Sequence, residues 1–294
     1  MNILSVHIGG AHITIGIYDA TSFVLIPGTY VRQAVNHRLH SATILNVWKA
    51  TIDETVSSHD VAITGCAICV PACFNACAVD ESSREFFLYP YLKGLDIKSH
   101  FSTLLNLPET AIKIFSNSVA SLTGEMNGMP PTAEKIIGLS IGTDFSAACM
   151  ENGKITDLQW EYAAFRNSNA NEYLSTQWLL KEYYRRSNIS VINVEELVKF
   201  YRESDTVKKI LVEYKDNLKN FLSGKIQADK VDKIIIDGDI VYAWRYLSSF
   251  LNKNMFPVTV EKGQISRENK LLGAALLFDE DARHNVLYQK DLFS

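Results

Sequence analysis

No stretch of eighteen consecutive apolar residues occurs in the 294-residue sequence, which leaves no candidate for a membrane-spanning helix. Nor is there an excess of positive charge: Lys and Arg number 29 against 33 Asp and Glu, a net charge of −4. That removes the electrostatic footprint of a nucleic-acid binder. A basic leader with an apolar stretch and a small-residue cleavage site is also missing, because the first strand begins at once. The expectation is a cytoplasmic protein with neither a membrane nor a nucleic-acid partner. Cysteine is sparse and odd in number, five in all, which argues against a disulfide framework. Four of the five cluster at Cys66, Cys69, Cys73 and Cys77, yet their spacing fits none of the usual zinc or iron–sulfur ligand patterns. Cys66 and Cys69 fall in the apolar run 61–70. A spacing of three there puts them on opposite faces of a strand, as small buried hydrophobes.

What is present is enough apolar material, 47% of residues, for two ordinary domains. The first twenty residues read as an apolar strand, a Gly9-Gly10 turn and a second strand. Glycines at such a turn tolerate positive φ and leave bare N–H groups beside a ligand, a concavity that suits phosphate. A third β-like run is expected over 22–31 and a helix over 41–57, where Ile44, Leu45, Trp48 and Ile52 recur at helical spacing. A strand over 61–70, a helix over 96–105 and a short strand over 111–115 follow. The pattern then partly repeats. An apolar strand over 135–140, a Gly142-Thr143 turn, a strand over 145–151 and the type I′ hairpin signal Asn152-Gly153 open a second half. Helices are expected over 171–186, 194–202, 205–222 and 240–251. Strands are expected over 231–236 and 258–260, and a final helix starts near Asn269. Two halves of this kind are an α/β arrangement with mixed sheets, and the duplication implies a cleft where a small ligand binds.

On these residues the chain resembles the ROK family of sugar kinases and related repressors, within the actin-like ATPase and hexokinase superfamily. Ile8-Gly9-Gly10 with Asp19 resembles the family's first phosphate hairpin, and Val70-Pro71-Ala72 its Gly-x-Pro-Gly turn. Tyr91-Leu92-Lys93-Gly94-Leu95-Asp96 resembles the segment bearing a sugar-contacting Asn. Ser116-Asn117-Ser118 through Gly124-Glu125 resembles the Asn-Asp-Ala-Asn…Gly-Glu motif. Ile141-Gly142-Thr143 resembles the second phosphate loop, Ile234 through Asp239 the strand and Gly-rich loop around adenosine, and Leu272-Gly273-Ala274-Ala275 the closing helix. No helix-turn-helix segment precedes the first strand, so the repressor branch is not the expectation. The resemblance implies a two-domain, actin-like ATPase (ribonuclease H-like) fold with mixed sheets and an interdomain cleft. One domain would cover 1–115 with 277–294, and the other 116–276. It also implies ATP and Mg²⁺ as cofactors, a sugar as ligand and a homodimer. Gly9, Gly10, Gly142, Thr143 and Gly238 become the cofactor-binding positions, and Tyr91, Asn117 and Glu161 the substrate-binding ones. Asn117 takes the position of the catalytic base.

The departures from the family pattern concern chemistry. His7 stands where the family has a metal-side Asp, and a neutral imidazole does not hold Mg²⁺ water as a carboxylate does. Asn117 replaces the general base, and an amide accepts no proton near pH 7. The simpler reading of Asn117 is a helix N-cap. His7 reads as a packed histidine, with His12 pointing elsewhere along the hairpin. Asp144-Phe145-Ser146 replaces a run of glycines and puts a carboxylate and a ring where phosphate oxygens would sit. Turn chemistry accounts for Asp144, Asp237 and Asp239, with a cation or ribose hydroxyl as the other reading. The family's Gly-Glu-x-Gly-His segment and Cys-rich zinc loop have no counterpart, so no metal ligands are assigned and no zinc is expected. Phe86, Phe87, Tyr89 and Tyr91 are candidates for lining the cleft or filling the core. The expected function is a sugar-kinase-like protein that binds a sugar or other small ligand with impaired or lost phosphoryl transfer. The alternative is an active ATP-dependent hexose or amino-sugar kinase.

Overall fold

The computed structural model describes residues 1–59, 61–71, 89–129, 134–254, 258–264 and 268–279. Cys73, Cys77, Phe86, Phe87 and Ala72 lie outside them. The chain forms two compact units, Met1–Pro130 with Ser266–Ser294, and Pro131–Ile265. The first unit opens with β1 (Asn2–Ile8), β2 (His12–Asp19), β3 (Val31–Ala34), α1 (Ser41–Ser57) and β4 (Ile63–Val70), then α2 (Ile97–Leu105), β5 (Ile112–Ser116) and α3 (Asn117–Glu125). The second holds β6 (Ile136–Ile141), β7 (Phe145–Glu151), β8 (Lys154–Asp157), β9 (Ala164–Phe165), β10 (Ser168–Asn169), α4 (Ala170–Leu174), α5 (Thr176–Ser187), α6 (Val194–Lys199), α7 (Asp205–Asp229), β11 (Lys233–Asp237), α8 (Trp244–Asn254) and β12 (Thr259–Lys262). The closing helix α9 (Asn269–Phe278) returns to the first unit.

The two large sheets share one build. The orders are β3-β2-β1-β4-β5 and β8-β7-β6-β11-β12. In each, three antiparallel strands continue into two parallel ones. The mixed α/β fold read from the sequence is therefore present twice.

In the first unit, alternation along β1 and β2 sorts side chains to two covered faces. Leu4, Val6, Ile8, Ile13, Ile15 and Ile17 pack with Ile44, Trp48 and Ile52 of α1 and Phe101 of α2. Ile3, Tyr18, Ala67 and Cys69 pack instead with Ala120 of α3 and with Leu271, Ala274 and Ala275 of α9. Cys66 belongs to the first cluster and Cys69 to the second, on opposite faces as the spacing required. Helix α9 meets α3 at main-chain distance, since a Cβ on Gly273 would lie 1.8 Å from the Ala120 carbonyl oxygen. Ser5 Oγ ties α9 to β1 by donating to Leu271 O at 2.7 Å. In the second unit, Ile137, Leu139, Ile141, Ile234 and Ile236 pack on Val207, Ile210, Leu211, Tyr214 and Leu218 of α7. The hairpin signal at Asn152-Gly153 holds, with φ of 53° and 75°.

Three local expectations change. The run 22–31 is a loop, with the third strand shifted to Val31–Ala34, because Pro27-Gly28 breaks it with Gly28 at φ 84°. The helix over 171–186 is interrupted at Ser175, whose ψ of 158° is extended. The helix over 240–251 begins as a 3-10 turn, Asp239–Ala243, before α8.

Candidate functional site

Parallel strands present their carboxyl ends at one edge of a sheet, where open α/β sheets place ligands. In the first unit that edge gathers the ends of β1, β4 and β5. His7 registers with Cys69, and Val70 with Ser116, so the Gly9-Gly10 turn, Pro71 and Asn117 follow directly from aligned strands. The hairpin tip is tightly tied. Gly9 N donates to His12 O at 2.9 Å, Tyr89 Oη donates to Gly9 O, and His37 Nδ1 donates to Gly10 O at 2.6 Å. Tyr89 is wholly buried against Trp48 and His37, a core role. Two residues on, Tyr91 is 52% exposed and its ring lies 4.8 Å from that of His40.

Asn117 is not the N-cap. Ser116 is, its side chain accepting from Val119 N, and Asn117 is the first residue inside α3. Asn117 is 2% exposed, and its Oδ1 has no hydrogen-bond partner among the described residues. A buried amide oxygen without a donor costs about 1–3 kcal/mol, a strain that a ligand hydroxyl would relieve. Asp19 sits at the far end of β2, paired with Asn2, and caps a turn by accepting from Thr21 N, Ser22 N and Ser22 Oγ. It is not at the glycine turn.

His7 is half-buried, and desolvation, followed by the neighbouring Lys270, His12 and Arg32 side chains, holds its pKa well below the ordinary value. It is a neutral imidazole. His12 does not point away from it: the two rings meet edge-on at 5.3 Å. The His12 ring also covers the turn, 3.1 Å from where a Cβ on Gly9 would sit. Among the described residues no group of three or more His, Cys, Asp or Glu side chains has an arrangement that holds a metal ion. The donor set at this hairpin does not fit Mg²⁺.

The second unit repeats the edge with β6 and β11. Gly238 has φ 95°, and a Cβ there would stand 2.4 Å from Ile141 O. Only glycine allows that approach, which sets Gly238 against the residue preceding Gly142 and Thr143. Gly142 is held at both its N–H and its carbonyl by the unit's own groups. Gly142 N donates to Asp144 O at 2.9 Å, and Gly142 O accepts from Thr176 N at 2.8 Å and Thr176 Oγ1 at 2.7 Å. A further correction concerns Phe145. Its ring is fully buried, edge-on to Phe221 at 5.8 Å, so it fills the core and not a phosphate position. The carboxylate of Asp144 remains near the loop, and its charge is felt at Glu161.

Glu161 lies in a 3-10 turn, Trp160–Tyr162, and is 4% exposed. Its Oε2 has no hydrogen-bond partner among the described residues. Burial pushes its pKa up to about 8, against a hydrogen bond from its own backbone that outweighs the smaller upward effect of either the Asp157 or the Asp144 charge. At pH 7 it is mostly a neutral carboxylic acid, able to donate a hydrogen bond. The sequence named His12 but placed it away from His7, and it gave no sign of Arg32, Lys270 or His37. Cross-strand register would have found Arg32, which sits beside Thr14, itself opposite His7. Nothing local would have found Lys270.

No protein-family profile matches this chain, and no curated protein matches it. Solved structures do. A ROK family glucokinase from Streptomyces griseus, in complex with glucose and AMPPNP, aligns with TM-score 0.67 and 15% identity over 94% of this chain and 99% of its own. A ROK family protein from Streptococcus pneumoniae TIGR4 in complex with sucrose aligns with TM-score 0.66 and 15% identity, covering 97% and 100%. A ROK family transcriptional regulator, homologous to the E. coli MLC protein, aligns at TM-score 0.66 and 15% identity over 100% of this chain and 81% of its own. The chain therefore has the ROK sugar-kinase-like fold, the actin-like architecture that kinases and a regulator of that family share.

Proposed function

We propose that this protein is a cytoplasmic sugar-binding member of the ROK fold in which phosphoryl transfer is lost or severely impaired. The observation that supports it most is Asn117. It begins α3 at the carboxyl edge of β5, buried, with an amide oxygen that has no partner among the described residues. An amide there orients a sugar hydroxyl but cannot take its proton. Phosphoryl transfer also requires metal-assisted charge neutralisation, and His7, a neutral imidazole, stands where the family's carboxylate would be. Tyr91, in the same unit, offers an exposed ring face for a sugar. No helix among the described residues is long and apolar enough to cross a membrane.

The test measures binding and turnover on the same samples. Glucose, N-acetylglucosamine and N-acetylmannosamine are titrated by calorimetry, then incubated with Mg²⁺–ATP while ADP release is followed. Binding of at least one sugar with no ADP release above background is expected, and Asn117→Ala should weaken that binding at least tenfold. Stoichiometric sugar phosphate with ADP would establish the alternative, an active ATP-dependent hexose or amino-sugar kinase. Sedimentation of the same samples tests the homodimer that the resemblance implies.

A further inference from the structure

The short turn between β8 and β9 buries a carboxyl oxygen that no described residue partners. The chain enters this turn through Gln159 at φ 51°, a left-handed conformation that a glutamine adopts only at a cost. Asp157 Oδ1 holds that residue by accepting from Gln159 N at 3.0 Å. The 3-10 turn Trp160–Tyr162 follows, closed by Ala163 N donating to Trp160 O at 3.0 Å. Trp160 anchors it, edge-on to Phe221 of α7 at 5.8 Å. Helix α4 ties it to the β6–β7 loop: Ala170 N donates to Ala163 O at 2.9 Å, and Phe145 N to Asn171 Oδ1 at 2.8 Å. Main-chain geometry thus brings Glu161 near Asp144.

The charges felt there are of one sign. Those that act on the Glu161 carboxyl are Asp157 of β8 and Asp144 of the β6–β7 loop. The basic side chains nearby are engaged elsewhere. Lys225 of α7 lies over Trp160 and Phe221, 5.6 and 5.8 Å from their ring centroids. Arg166, in the β9–β10 turn, lies 5.7 Å from the centroids of both Phe165 and Tyr173. On α4, Glu172 is paired with Lys181 of α5 at 3.5 Å. The backbone of Glu161 bonds its own carboxyl, and Oε2 is left with no partner among the described residues. The turn lies close to solvent, since Gln159 before it and Ala164 after it are exposed and Asp157 is half-buried.

We propose that this turn is a binding site for a small primary ammonium ion, with Glu161 as its counter-ion and Asp157 and Asp144 as the acids that draw it in. Among the described residues no group of three or more His, Cys, Asp or Glu is arranged to hold a metal ion, so a bare metal cation is not the match. An ammonium brings three N–H donors of its own and needs acceptors, not a coordination shell. A neutral hydroxyl would satisfy Oε2 but leave the two neighbouring charges unbalanced. An ammonium satisfies Oε2 and offsets them. As it arrives, the Glu161 carboxyl releases its proton to solvent, so a neutral acid becomes one half of an ion pair. The inference does not rest on the sugar-binding reading, which concerns Asn117 and Tyr91 of the first unit.

The test is calorimetry on the full chain at pH 7 in two buffers of different ionisation enthalpy, a comparison that counts the protons released. The probes are ethanolamine and glucosamine, with ethylene glycol, glucose and N-acetylglucosamine as uncharged matches. At least one amine should bind roughly tenfold or more tightly than its uncharged match. It should release about one proton per ligand bound. Glu161→Gln should remove both the preference and the proton release. Asp157→Asn keeps an oxygen for Gln159 N, and it should weaken the amine severalfold while proton release persists. Urea unfolding of both variants checks that each is folded. Amines that bind no better than their matches, or that bind without releasing a proton, would overturn the inference, as would a preference retained in Glu161→Gln. If uncharged sugars bind in that case, the proposed function still stands. An amine preference with proton release, alongside no binding of any uncharged sugar, would support this inference and remove the proposed function.

Discussion

Gly273→Ala is the smallest change that separates α9 from the sheet it covers. The added Cβ would fall 1.8 Å from Ala120 O, 2.8 Å from Ala120 C and 2.9 Å from Gly124 N. All three are main-chain atoms of α3, so no rotamer change clears them. Ordinary carbon contacts sit at about 3.5 Å, so the helices must part by roughly 1.5 Å. Overpacking where side chains can shift costs about 1–3 kcal/mol. Here the separation also loosens Leu271, Ala274 and Ala275 from Ile3, Ala67 and Cys69. We expect a loss near 4 kcal/mol, above the upper end of that range, and a fall in Tm of roughly 10 °C for a chain of this size. Scanning calorimetry measures the total, and hydrogen exchange of the α9 amides localises it to the first unit. Gly224→Ala is the matched control: Gly224 is helical, and nothing lies within 4 Å of its Cβ position. That change should stabilise the protein by up to about 1 kcal/mol through helix propensity. If Gly273→Ala costs less than about 1 kcal/mol, the close packing of α3 on α9 is wrong.

Three further outcomes follow from the same geometry. Glu161 has a folded pKa of about 8 and an unfolded one near ~4.3, so the native state binds the extra proton and stability falls as pH rises between those values. Glu161→Gln should match wild type at pH 5 and exceed it at pH 8 by about 3–4 kcal/mol, from about 1.4 kcal/mol per pH unit across most of that interval, read from urea unfolding at both pH values; a constant difference would refute the assignment. Burial raises the Cys66 thiol far above its ordinary value and pushes Cys69 up to about 12. Iodoacetamide at pH 8, mapped by mass spectrometry, should therefore label neither until denaturant is added. Asn269 Nδ2 donates to Glu125 Oε1 at 2.9 Å inside the α3–α9 contact. Asn269→Ala should cost about 1–3 kcal/mol, and a neutral result in chemical denaturation would show that the bond contributes little.

The doubly repeated sheet was legible because its signals are local. Apolar alternation, a Gly-Gly turn and an Asn-Gly turn each specify a hairpin within ten residues, and α1 occupies its expected span, Ser41–Ser57. What was illegible depended on single-residue offsets or on distant chain. Ser116 and Asn117 are both good N-caps, and only the hydrogen bond to Val119 N selects Ser116. Phe145 turns inward because it pairs with Ile141 in the β6–β7 ladder, and a one-residue slip would send it the other way. Arg32 reaches the site's face through β2–β3 register, and Lys270 through a helix contributed from the far end of the sequence. At the candidate site the turn glycines and Asn117 could be named in advance. The cationic residues around His7 could not.

The first unit takes its last helix from beyond the second. Ser5 waits for Leu271 O, and Gly124 for the Asn269 backbone. On a ribosome, the β1–β5 sheet emerges with its α9 face bare, and all of Pro131–Ile265 is made before the cover arrives. At roughly 5–20 residues per second, that interval is on the order of 10 s. The contiguous second unit can complete its core during it. The N-terminal unit, although synthesised first, is the one that finishes last and the one a holdase chaperone would protect.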